Sequence, residues 1–438
     1  MLKTLQNAWR VPEIRKRALY TLLILVIVRV GSAIPSPGVN TSFFQNWLAQ
    51  QSGDAFNFFN AMTGGSFESL SIFALSITPY ITASIIIQLL TIAIPALEEM
   101  SKDSEQGRQR LNEITRYTTV GLALLEALAM SIGFGRQGLL LNYTWYNVIA
   151  SACVMTAGAV VLMWLGEKIT EIGIGNGISM ILLFNILSSL PGDIANLFEV
   201  FVFGKSVVVG VLAAAIIIAL ILAMIAFVVY LNGGERRIPV QYSAKMQGRR
   251  TYGGQSSSMP LKANLGGVIP VIFASSLMQT PVMIGSFFNV DYSTVGGKIL
   301  AALSSNNWVR ADRPWYSIGL LIYIALIIVF AYFYVSITFN PLEIANNLKK
   351  QGGFIPGIRP GKPTSDYLNH VLNYLVFIGA VGLVIVAVVP IILSGTLSIS
   401  RLSFTGTSLI IIVSVILETI NQVESLMRVR NYSGFLKD

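Results

Sequence analysis

The 438-residue sequence predicts an all-α polytopic membrane protein with ten transmembrane helices. Three observations carry that prediction. Apolar residues make up 54% of the chain and charged ones 12%, against roughly 25% charged in an ordinary soluble domain. The 30 basic and 21 acidic residues are too few to cover a compact soluble body of this length, and they gather between long stretches nearly free of charge. Those stretches approach the ~20 residues that a helix rising about 1.5 Å per residue needs to cross hydrocarbon.

The ten stretches are 18–36, 72–94, 117–134, 148–165, 174–190, 207–231, 265–288, 315–340, 369–393 and 404–424. The first is followed by many others, so it reads as a retained span rather than a removable leader. The fourth and sixth are almost uninterrupted; the fifth is short and begins at Gly173-Ile174-Gly175-Asn176-Gly177, a sharp turn. Pro79 falls in the second stretch, Pro270 and Pro281 in the seventh and Pro390 in the ninth. Each removes a backbone donor, so these helices are expected to bend or break. Ile77, Ile81 and Ile85 recur at i, i+4 and i+8 and form one stripe, suited to core packing or to a pore constriction. Between the first two stretches, Phe56, Phe58, Phe59, Met62, Phe67 and Leu70 are interrupted by Asp54, Asn57, Asn60, Gly64-Gly65 and Glu68. That pattern predicts a short amphipathic or re-entrant helix on the outer side, or one lying along the bilayer surface. Irregular backbone at membrane depth is tolerated only beside protein or a water-filled cavity.

Orientation follows from Lys and Arg. With the N-terminus inside, the inner segments hold 23 basic residues and the outer ones six, namely Arg136, Lys205, Lys298, Arg310, Arg313 and Arg401. Both termini are therefore expected on the cytoplasmic side.

Catalytic and metal chemistry find few residues to use. The single cysteine, Cys153, rules out a disulfide framework, and the single histidine, His370, rules out a histidine cluster. No nucleophile elbow, HExxH or phosphate-binding loop occurs; no cofactor is expected. Arg29, Glu126 and Glu418 are the ionisable residues well inside predicted spans. Counting about 1.5 Å per residue puts Arg29 and Glu126 at similar depth, where they could pair. Two inner loops are long and basic: 232–264 with Arg236, Arg237, Lys245, Arg249 and Arg250, and 341–368 with Lys349, Lys350, Arg359 and Lys362. Their length exceeds what a helix connection needs, which suggests a docking platform for something acidic.

The motifs are more specific than the composition. Arg29-Val30-Gly31 with Ile34-Pro35-Ser36-Pro37-Gly38, Thr78-Pro79-Tyr80-Ile81-Thr82-Ala83-Ser84, Glu105-Gln106-Gly107-Arg108, Met163-Trp164-Leu165-Gly166-Glu167, Gly173-Ile174-Gly175-Asn176-Gly177, Gln247-Gly248-Arg249-Arg250, Gly267-Val268-Ile269-Pro270 and Pro356-Gly357-Ile358-Arg359-Pro360-Gly361 follow one another in order. Together they resemble the bacterial SecY family of protein-translocation channels, from the first span almost to the end. The resemblance implies two inverted pseudo-symmetric halves around an hourglass pore. The expected division is an inner segment 1–17, a first half 18–190 with a plug at about 56–70, an external hinge 191–206, a second half 207–424 and a tail 425–438.

The resemblance also assigns residues. Ile77, Ile81, Leu182, Ile272 and Ile411 would form an apolar ring at the pore waist, with leucine at 182 where isoleucine is commoner. Phe59, Met62, Gly64, Gly65 and Phe67 would belong to the plug, which here carries an acid at Glu68. Thr82 and Gln88 would lie on one side of a lateral gate and Ser275 and Ser276 on the other. Arg236, Arg237, Arg249, Arg250 and Arg359 would dock the SecA motor or the ribosome. SecE and SecG subunits, secretory preproteins, nascent membrane proteins and lipid are the other implied partners, and the bacterial plasma membrane the implied location. A secondary transporter with inverted repeats is the alternative, since composition and broken helices look alike in the two classes.

Overall fold

The long apolar stretches fold mainly as helices, because an unpaired backbone amide in hydrocarbon has no water to bond. The computed structural model describes residues 9–50, 60, 62–102, 105–201, 207–242, 245–247, 250–252, 256–287, 294–309, 314–397 and 406–434. The first part holds α1 (Pro12–Ser32), α2 (Thr41–Gln50), α3 (Thr78–Ala93), α4 (Pro95–Lys102), α5 (Glu105–Phe134), α6 (Trp145–Ile172) and α7 (Gly177–Phe201). The second holds α8 (Val207–Gly233), α9 (Ile269–Phe287), α10 (Val295–Leu303), α11 (Ser317–Thr338), α12 (Pro341–Lys350), α13 (Lys362–Leu397) and α14 (Gly406–Gly434). Among the described residues, six helices are long and apolar enough to cross a membrane, or seven if α3 and α4 count as one broken span.

Each of the ten expected stretches overlaps one helix, but the ends differ. α3 starts at Thr78, not near residue 72, and the chain before it runs as turns from Gly64, with a single bridge residue at Ser71. Pro79 therefore does not break the span. It occupies the first turn, where the missing N–H is unpaired in any case. Pro270 likewise sits at the start of α9, while Pro281 and Pro390 lie inside their helices. The sharpest break falls where no span break was expected: Ile94 is extended ahead of Pro95, and α3 and α4 meet at 108°. Residues 191–201 were expected in an external connection but continue α7 through Pro191. The start of the predicted tail continues α14 to Gly434.

Strands were not expected, and five short ones form among the described residues. β1 (Glu235–Tyr242) pairs antiparallel with β4 (Ser256–Lys262) along its length and with β5 (Gly353–Phe354) at its end, through Gln241↔Phe354 and Tyr242↔Gly353. β2 (Lys245–Gln247) and β3 (Arg250–Tyr252) form a separate hairpin. The two long basic loops are thus joined by backbone hydrogen bonds. Beneath them, Ile238, Leu261, Ile355, Leu368, Val371 and Leu375 form a small apolar core.

Neighbouring helices in sequence pack together: α5 on α6 and on α3, α9 on α11, α11 on α13. The two parts meet where α7 touches α8 and α14 and where α9 touches α3 and α5. One core gathers Phe44, Phe67, Leu70, Phe134 and Met155; the largest gathers Val271, Phe273, Tyr323, Ile327, Phe330 and Leu383.

Candidate functional site

The five residues expected at a pore waist come from four elements and from the turn ahead of one. Ile77 is the residue that precedes the first turn of α3 and is 1% exposed; it packs in a cluster with Ile24, Leu25 and Val28 of α1 and Leu162 of α6. Leu182 of α7 is buried against Met62. Ile272 of α9 and Ile411 of α14 share a third cluster with Leu183, Ile186 and Val415. Ile81, one turn into α3, packs against all three clusters. Ile81 is thus the hub, and Ile77 sits apart from Ile272 and Ile411. The third residue of the stripe, Ile85, turns toward the core shared with α9 and α11.

The segment before α3 forms a compact return. Its far end is fixed by backbone bonds to the chain leaving α1: Ser36 N–H donates to Leu70 O at 2.9 Å and Ile72 N–H to Ile34 O at 3.0 Å. Gly158 of α6 lets this return lie close, since a Cβ there would collide with the Ile72 carbonyl. Phe67 is fully buried, edge-on to Phe44 at 5.2 Å. Asn60 closes the loop on itself, accepting from Glu68 N–H at 3.1 Å and donating to its Oε2 at 2.9 Å. Gly64 and Gly65 take positive φ of 65° and 83°, which their missing side chains permit. Phe59, like Phe56 and Phe58, lies outside the described residues.

Polar groups from two helices reach this return. Arg29 Nη1 donates to Gly64 O at 2.6 Å and to Ser188 Oγ of α7 at 3.2 Å. Asn185 Nδ2, also of α7, donates to Met62 O at 3.1 Å and to Ser76 Oγ at 3.3 Å. Arg29 and Glu126, left open as a pair by their similar depth, do not bond each other. Arg29 is in the last turn of α1, far closer to a helix end than residue counting from the inner side implied, and it is taken up by the return. Glu126 Oε2 is buried with no hydrogen-bond partner among the described residues.

The four residues expected at a lateral gate bond within their own helices. Thr82 donates to Thr78 O, Gln88 to Ser84 Oγ and Ser275 to Val271 O, while the Ser276 carbonyl accepts from Thr280 Oγ1. Apolar packing, through Ile85, Val271 and Ala274, joins α3 to α9. Among the basic residues, Arg236 and Arg237 are exposed on β1, with Arg237 Nε 3.8 Å from Glu235 Oε2. Arg359 is exposed in the turn between β5 and α13, next to Gly357 and Gly361 with positive φ. Arg250 lies in β3, opposite Gln247; Arg249 is outside the described residues.

The SecY family model matches residues 71–420. The chain belongs to the SecY family. It is 43% identical to the protein translocase subunit SecY of Streptomyces galbus over the whole of both chains. It is 41% identical to the subunit of that name from Corynebacterium glutamicum, covering 98% of this chain and 99% of that one. A solved protein-conducting channel superposes with a TM-score of 0.63 at 18% identity, covering 95% of this chain and 96% of the other. Sec61 from a canine ribosome–channel complex superposes with a TM-score of 0.60 at 17% identity. At these identities the superpositions bear on the fold alone.

Within this SecY-family chain, sequence reasoning overlooked Asn185 and Ser188. The signal was present: Asn185 is the one amide in the run Ile178–Leu190, and a buried amide without partners is costly enough to demand some. What it would bond could not be read, because Met62 and Ser76 are more than a hundred residues away.

Proposed function

We propose that this chain is the pore-forming subunit through which unfolded secretory preproteins cross the bacterial plasma membrane, with transmembrane segments leaving sideways into lipid. The chain is a protein-conducting channel and performs no covalent chemistry. The observation that carries the reading is that Ile81 packs against the three clusters that hold Ile77, Leu182, and Ile272 with Ile411, with Met62 seated on Leu182. A narrow apolar constriction dewets and refuses ions. Branched side chains can change rotamer to admit a polypeptide and close again behind it.

Ten spans in two inverted halves fit α1, α3, α5, α6 and α7 followed by α8, α9, α11, α13 and α14, with both termini cytoplasmic as the 23-to-6 distribution of basic residues supports. Residues 56–70 are then the plug on the outer side. The contact of α9 with α3 and α5 is the lateral gate, held by apolar packing that a hydrophobic signal segment can replace at little net cost. Transfer of that segment into lipid is favoured by about 0.8 kcal/mol per CH₂. Arg236, Arg237 and Arg359, with Arg249 and Arg250, form the docking face for SecA and the ribosome. SecE and SecG complete the complex.

The test is reconstitution with SecE and SecG into sealed vesicles, followed by addition of SecA, ATP and a preprotein. Protection of the preprotein from external protease supports the reading. A vesicle that moves small solutes but protects no preprotein supports the transporter alternative.

A further inference from the structure

Apolar packing places the return segment but does not latch it. Met62 against Leu182 and Phe67 among Phe44 and Phe134 are non-directional contacts, and a passing apolar chain could replace them. The polar contacts are different in kind. Arg29 and Asn185 approach from α1 and α7 and donate to two carbonyl oxygens, those of Gly64 and Met62. These carbonyls stand where a short helical turn breaks up into the glycines, and a broken turn leaves its acceptors without backbone partners. A hydrogen bond from a guanidinium is roughly twice as strong as a neutral one, and stronger again away from bulk water. Gly64 permits the close approach: a Cβ there would stand 3.0 Å from Ser188 Oγ and 3.1 Å from Asn185 Cα.

Asn185 also donates to Ser76 Oγ, so one side chain bridges the two ends of the return. Ser76 holds a φ of 51°, unfavourable for a residue with a side chain, immediately before the first waist residue, Ile77. Both clasped groups on the return's near end are backbone atoms, so the contact tolerates changes in the side chains there. Arg29 stands in the last turn of α1, where release from the return frees its charge without unpicking the helix.

We propose that Arg29 and Asn185 form a two-point polar clasp on the Gly64 and Met62 carbonyls that holds the plug in its resting place, so that opening requires these bonds to be exchanged. The inference rests on reading residues 56–70 as a plug, and the experiment separates the two. The assembled channel, with SecE and SecG, is reconstituted in a Cys153→Ser background with Ser66→Cys as reporter, since Ser66 is 1% exposed. Two quantities are read without a motor: ion conductance, and the rate of labelling by a membrane-impermeant maleimide.

Arg29→Met and Asn185→Leu should each raise the labelling rate about tenfold, as expected for losing a hydrogen bond of this kind, and should raise resting conductance. Arg29→Lys, which keeps a charged donor, should restore both. Ser188→Ala, which removes the link between α1 and α7 and the bond from Ser188 to Asn185 O but no bond to the return, should change neither. Unchanged labelling in Arg29→Met and Asn185→Leu overturns the clasp, as does a Ser188→Ala channel that behaves like Arg29→Met. Deletion of residues 60–70 is the reference for the plug. If that deletion leaves conductance unchanged while Arg29→Met speeds labelling, the clasp stands and the segment is not the seal.

Discussion

Ile81 and Gly158 show how much one side chain, or its absence, decides. Ile81 touches the clusters of every other residue assigned to the waist, so polar, smaller substitution at this hub should wet the constriction. Ile81→Ser with Ile272→Ser is expected to raise the resting ion conductance of reconstituted channels, whereas Ile85→Ser, facing the α9–α11 core, should leave it near the parent value. Conductance equal to the parent in the first variant would exclude both residues from the seal. Gly158 admits the Ile72 backbone; Gly158→Val should lower unfolding stability by about 1–3 kcal/mol, the usual cost of overfilling a close contact. Thermal unfolding of the purified complex measures it. The value of these residues was unevenly visible beforehand. The stripe Ile77, Ile81, Ile85 is a spacing and can be read from order alone, but that Ile85 turns to a different core from Ile77 depends on which helix stands opposite.

Among the elements, the small sheet changes the meaning of the basic loops. β1 pairs with β4 in its own loop and with β5 in the next, so Arg236, Arg237 and Arg359 are carried on one backbone framework. Topology needs only that positive charge be present in an inner loop, while docking on a fixed framework needs it in place. Arg359→Ala with a lysine moved to another position in 341–368 should therefore keep correct insertion and lose SecA and ribosome affinity. Equal affinity of parent and moved-charge channels would leave only the topological role. Ile238→Asp, which buries an acid among Leu261, Ile355 and Leu368, should release the framework; limited proteolysis within 243–256 is expected to accelerate about tenfold or more, as for a locally unfolding unit. The alternation in Arg237-Ile238-Pro239-Val240-Gln241, buried at Ile238 and Val240, was a legible strand signal. Proline within it and the pull of a helical chain obscured it. The pairing with β5 was not legible, since two residues, Gly353-Phe354, carry no periodicity at all.

For the whole molecule, the contact of α9 with α3 and α5 is where the two parts must separate if segments are to leave sideways. Cysteines at Ile85 and Ala274, joined by a short bifunctional thiol reagent in a Cys153→Ser background, should stop preprotein protection, and a cleavable reagent should restore it on reduction. Full translocation through the joined channel would place the exit elsewhere. The sequence alone determined that the chain lives in a bilayer, roughly where its helices lie and which segments carry charge. Those properties follow from composition and from runs of neighbouring residues, and hydrocarbon enforces them locally by forbidding unpaired backbone. It did not determine helix ends where hydrogen bonding outlasts the apolar run, as in α5 and α14. Nor did it decide partners. Arg29 and Glu126 match in charge and estimated depth, yet Arg29 bonds the Gly64 carbonyl and Ser188. Depth along one axis says nothing of which face a side chain occupies or what another element brings to it. Only the tertiary structure sets Met62, Gly64, Ser76, Asn185 and Arg29 in one place, because their proximity arises from the packing of α1, α6 and α7 around a return segment whose own residues specify little beyond its turns.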